Sequence, residues 1–110
     1  MQRYTFVVLT NAVDGREAEY NDWYFNTHLA DVTAIPGIVS AQRFVLADSQ
    51  RSGKQPYKYL AIYEIETGDL QWVTEEIGRR AGTPAMFISD AMHADRLAAI
   101  FRPLDIGDSA

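Results

Sequence analysis

The 110-residue chain has no cysteine. Disulfides, thiolate nucleophiles and zinc–thiolate sites are therefore excluded. Histidine is scarce too, with two residues, His28 and His93. His93 lies between Asp90 and Asp95 at loop spacing, a poor metal signature, so no metal site is expected. Positive charge is in deficit: ten basic against fifteen acidic residues leave a net charge of −5. The basic residues are scattered, and only Arg79 and Arg80 are adjacent. Without a basic stripe to track a phosphate backbone, nucleic acid is not expected as a partner. Long hydrophobic runs are missing as well. The N-terminal MQRYTFVVLT is too short to span a bilayer, and no small-residue cleavage site follows it, so a cytoplasmic protein is expected. A glycine-rich phosphate loop and a nucleophile elbow are absent, which removes nucleotide cofactors and serine hydrolysis.

What the chain does contain is aromatic side chains: two Trp, six Tyr and five Phe, enough for a core and something besides. The length predicts a single domain over residues 1–110. Arg3 to Thr10, rich in β-branched and aromatic residues, reads as a strand. Asp14 followed by Glu17 looks like a capping box opening a helix from about Arg16 to Ala34, which Pro36 and Gly37 stop. Gly37 to Asp48 and Tyr57 to Glu66 read as strands joined by the polar loop SQRSGKQP. Thr67 to Asp69 opens a second helix, with Leu70, Val73 and Ile77 on one side, ending near Gly82. A short helical turn is expected after Pro84, a fourth strand from Ala94 to Leu104, and a frayed DIGDSA tail.

The order β-α-β-β-α-β predicts an α+β, ferredoxin-like domain with an antiparallel sheet. Both faces of that sheet read as apolar. Tyr57, Tyr59, Ala61, Tyr63 and Ile65 share one face of the third strand, and Leu60 and Ile62 hold the other. On the second strand, Ile38, Phe44 and Leu46 oppose Val39, Ala41 and Val45. Helices cannot cover both faces, so the sheet of an identical subunit is the expected cover, giving a homodimer packed sheet to sheet.

The stretch YNDWYFNTHLADV carries the candidate chemistry. Residues three and four apart are helical neighbours, so Asn21, Tyr24, His28 and Asp31 form one stripe. Phenol, imidazole, amide and carboxylate at contact spacing are unusual on a core-facing helix. Imidazole titrates near neutrality, as a general acid or base requires; Asp31 could orient it, and Tyr24 could donate to a ligand oxygen. Arg43, on the second strand, could hold a substrate carboxylate. Tyr63 could present a hydroxyl from the sheet.

The residues from about Glu19 to Phe44 resemble the dimeric α/β-barrel superfamily, and within it the EthD-like group. The elements that carry the likeness are Trp23-Tyr24, the His28-Leu29-Ala30-Asp31-Val32 run, Pro36-Gly37 and the Ala41-Gln42-Arg43-Phe44 run; Ala30 stands where many relatives have proline. The resemblance implies two subunits packed sheet on sheet, each with a cleft between its sheet and helices. It also implies that His28 projects into that cleft, as in muconolactone-type isomerases and polyketide cyclases. The expected activity is a cofactor-independent isomerase, cyclase or dehydratase acting on a small aromatic, lactone or polyketide-like compound. His28 would move the proton, Asp31 orient it, and Tyr24, Tyr63 and Arg43 bind substrate. The alternative is an auxiliary protein that binds a small apolar ligand, or haem through the one imidazole, without catalysis.

Overall fold

The computed structural model describes residues 1–105 and 107. Most of the DIGDSA tail expected to fray, Ile106 and residues 108–110, lies outside the described residues. Strands β1 (Gln2–Thr10), β2 (Ile38–Val45), β3 (Tyr59–Thr67) and β4 (Leu97–Phe101) form one antiparallel sheet in the order β2-β3-β1-β4. Helical segments between β1 and β2, and helix α3 (Leu70–Arg80) between β3 and β4, complete an α+β ferredoxin-like fold.

The first helical run occupies residues 17–33 and is not one regular helix. It comprises α1 (Glu17–Trp23), a π-helical segment (Tyr24–His28) and α2 (Leu29–Thr33). The amide of Leu29 bonds to the carbonyl of Tyr24, five residues back rather than four. The expected capping box is not formed. The N-cap is Arg16, without a side-chain cap bond, because the helix starts at Glu17 and leaves Asp14 too far ahead to reach the first free amides. Glu17 and Glu19 in the first turn instead complement the helix dipole. The run ends at Pro36-Gly37, where Gly37 takes φ 100° and a Cβ would meet Val73 Cγ2 at 3.2 Å. Only glycine suits both that conformation and that approach.

Helix α3 opens as expected, with the Asp69 carboxylate accepting from the Trp72 amide at 3.1 Å. The segment after Pro84 is not helical. It runs as turns and bends bridged to residues 81 and 12, and it buries Met86, Ser89, Ala91 and Met92 under the sheet's helical side. The fourth strand is shorter than expected, and the second contains a bulge between Ile38 and Ser40. That extra residue turns Ile38 to the face of Ala41 and Arg43, where it is buried, rather than to the face of Phe44.

The core lies between the helices and the sheet face bearing Tyr59, Ala61, Tyr63 and Ile65. Tyr20, Trp23, Tyr24, Val32 and Ile35 meet it from the first helical run, and Val73 from α3. Each large apolar side chain so buried contributes about 1.5–3 kcal/mol. The Tyr20 hydroxyl, wholly enclosed, pairs with that of Thr10. On the other sheet face, the register aligns Val7 with Ile62 and Ala99, and Leu9 with Leu60 and Leu97. Phe44 and Phe101 flank this apolar band and are 40% and 57% exposed. Among the described residues, no helix is long and apolar enough to cross a membrane.

Candidate functional site

A cavity of about 160 Å³ lies between the covered sheet face, the first helical run and residues 86–92. Phe6, Val8, Val32, Ile77, Met86 and Met92 supply apolar wall, and the polar residues in its lining are Tyr24, His28, Tyr63 and Arg96. A wider open groove of about 640 Å³ is lined by Asn11, Glu17, Lys58, Tyr59 and His93. Its polar groups are largely satisfied already: Glu17 accepts from both Lys58 and Tyr59, which hold its carboxyl below the usual range, the Lys58 bond being the larger cause. The smaller cavity is where unsatisfied chemistry collects.

The π segment is what points His28 there. Five residues along a regular α-helix lie about 140° apart round the axis, so Trp23 and His28 would face different directions. Hydrogen bonding from i to i+5 brings them into line. Their rings stack at 4.5 Å and 27°, while the Tyr24 ring meets the imidazole edge-on at 4.9 Å. Trp23 is itself fixed, its Nε1 donating to the Phe87 carbonyl at 3.1 Å. His28 is 9% exposed.

Asp31 does not orient this imidazole. Among the described residues nothing hydrogen-bonds His28 Nδ1, which is buried. Helical side chains lean toward the N-terminus, so the His28 ring folds back over Trp23 and Tyr24, away from the short Asp31 side chain one turn ahead. The expectation of a near-neutral titration is corrected too. Burial, with Arg96 and then Arg43 adding like charge, lowers the His28 pKa to about 4. At pH 7 the ring is neutral and its basicity is weakened.

Tyr24 and Tyr63 are each 1% exposed, and their hydroxyls lie close enough to influence one another. Burial raises the Tyr24 pKa to about 12 and that of Tyr63 further still, so both remain protonated donors. The Tyr63 hydroxyl finds no partner of hydrogen-bonding geometry. Phe6 packs on its ring at 5.5 Å, fixing it in the wall.

Arg43 stands apart from the cavity. Its guanidinium sits over the rings of Tyr24 at 4.3 Å, Phe25 at 4.8 Å, and Tyr20 and Tyr59 at 5.3 Å each. It is boxed by π faces, with Nη2 buried and unpartnered. The structure thus brings Tyr24, His28 and Tyr63 together and leaves Asp31 and Arg43 outside the lining. Sequence reasoning missed Arg96. The signal was present: Arg96 falls within the strand expected from Ala94 to Leu104, where period two puts it on the face of Ala98 and Ile100, the partners of Val8 and Phe6 on β1.

No family profile matches the sequence, and no functionally curated protein matches it. Solved structures do match. A protein of Arabidopsis thaliana shares 16% identity over 94% of this chain and 97% of its own, with a TM-score of 0.69. A dimeric ferredoxin-like protein of unknown function from Thermobifida fusca shares 17% over 93% and 92%, with a TM-score of 0.62. An EthD family protein from Bacillus halodurans shares 13% over 94% and 100%, with a TM-score of 0.52. The chain shares the ferredoxin-like fold of the Thermobifida fusca protein.

Proposed function

We propose that this protein is a cofactor-independent enzyme of the isomerase, cyclase or dehydratase type that moves a proton beside a carbonyl in a small ring compound. The observation that carries this is the neutral, buried imidazole of His28 on an apolar cavity beside an unpartnered Tyr63 hydroxyl. A neutral imidazole can accept a proton from carbon. Tyr63 and Tyr24, held as phenols, donate to the oxygen on which negative charge grows as that proton leaves. Apolar walls exclude water that would otherwise compete for those donors. Trp23, rather than Asp31, positions the base, by stacking.

An engineered cavity of about 150 Å³ accepts benzene, so this one suits a single ring. The volume present favours a single ring over a group of porphyrin size, since pockets for drug-sized ligands already run to roughly 300–1,000 Å³. The apolar band of Val7, Leu9, Leu60, Ile62, Phe44 and Phe101 supports a homodimer packed sheet on sheet. The depressed basicity of His28 favours a second reading, in which the cavity sequesters a small apolar molecule without chemistry.

Proton washout separates the two. A small cyclic ketone or lactone incubated with the protein in D₂O should exchange its α-proton, followed by NMR, and His28→Ala should slow this by roughly 100- to 10,000-fold. Exchange at the uncatalysed rate with wild type, despite measured binding, would leave the sequestering role.

A further inference from the structure

We infer that the cavity is built for a small anion, a single-ring carboxylate or phenolate whose apolar body enters the pocket while its charge rests on Arg96 at the mouth. This rests on the cavity being the working site and deepens that reading by naming its ligand class.

Charge distribution is the first argument. The chain carries net charge −5, yet no aspartate or glutamate is among the cavity's lining residues. The one formal charge on the wall is the Arg96 guanidinium, on an exposed residue. Among the described residues it has no ion pair, whereas Arg3, Arg16, Arg79 and Arg80 each hold a carboxylate. An arginine left without a partner at the rim of an apolar hollow, in a chain rich in acids, is placed for an anion from outside.

Depth points the same way. His28 and Tyr63 are buried and Arg96 is exposed, so the polar groups run from a neutral floor to a cationic rim. A ring of benzene size fills about the volume present. A substituent bearing charge then lies toward solvent, where it keeps part of its hydration and meets the guanidinium. A cation would meet Arg96 with repulsion and no carboxylate to offset it.

The rim charge is also coupled to the base. The charged and titratable groups facing His28 are Arg96, Arg43, Tyr24 and Tyr63. The phenols are neutral, and both guanidiniums oppose protonation of the imidazole. An anion on Arg96 cancels the larger of those two charge effects, so an anionic ligand strengthens the base as it binds. A neutral ligand does not.

The test compares benzoate with benzamide, which has nearly the same shape and no charge. Calorimetric titration into the full-length protein at low salt should show benzoate binding about tenfold or more tightly, the scale of a hydrogen bond to a charged group. Arg96→Met should erase the preference without weakening benzamide, and Arg96→Lys should keep part of it. His28→Ala should retain it, which separates this proposal from proton transfer. Saturating benzoate should also raise the imidazole pKa seen by NMR. Equal affinities in wild type, a preference that survives Arg96→Met, or failure of benzoate to bind would each overturn the proposal. The proton-washout result stands independently of all three.

Discussion

Acidification from pH 7 to about pH 4.5 should weaken the folded state through one side chain. In the unfolded chain His28 titrates near its ordinary value, about 6.5. In the folded state burial and two guanidiniums lower that to about 4. Between those values the unfolded state binds a proton that the folded state refuses, so stability falls as pH falls. The contribution is unaffected above the unfolded pKa, declines through the window, and levels off below the folded pKa. Evaluating the two titrations at the two pH values gives a loss of about 2.5 kcal/mol, a large share of a small domain's stability. Other groups also respond to acid, Glu17 among them, whose lowered carboxyl loses its folded-state advantage as it protonates. The measurement is therefore a difference. Urea unfolding at fixed protein concentration should be run on wild type and on His28→Phe, which keeps a ring against Trp23 and cannot titrate. The pH-dependent gap between the two should approach about 2.5 kcal/mol. Imidazole proton shifts give the folded pKa directly. A His28 resonance titrating near 6.5, or parallel pH profiles for the two proteins, would refute the burial argument and with it the neutral base.

Two further outcomes follow from groups on either side of the sheet. Tyr63→Phe removes a buried hydroxyl that has no partner, so thermal or urea unfolding should show it neutral or stabilising by up to about 1 kcal/mol, with α-proton exchange slowed. Leu97→Glu and Phe101→Lys place charge on the open face; sedimentation should show monomers where wild type sedimentates as a dimer, with the helical content of each chain unchanged.

Much of the architecture was legible in alternation and punctuation. The strands announced themselves by period two, Asp69 marked the start of α3, and Pro36-Gly37 marked the end of the first helical run. Where the expectation failed, one residue too many was the usual cause. The bulge after Ile38 inverted that residue's face, and the π insertion around Tyr24–His28 rotated one end of the helix against the other. Neither insertion has a sequence signature, because each is paid for by packing partners distant along the chain. The Asp14 cap and the helical turn after Pro84 were expected from local sequence, and neither forms where tertiary hydrogen bonds such as Arg16 to Asp90 and His93 to Asn11 tie these segments together.

Residue type and spacing alone put a histidine and two tyrosines forward as candidates, excluded thiol chemistry, and marked the sheet as apolar on both sides. Those conclusions depend only on what side chains are and on how strands and helices repeat. The tertiary structure decided that the imidazole is neutral, that Trp23 rather than Asp31 stacks on it, that Arg43 is enclosed by aromatic rings, and that Arg96 lines the same cavity as His28. Solvation and charge at a point in space depend on which distant segments converge there, and that convergence is a property of the folded chain.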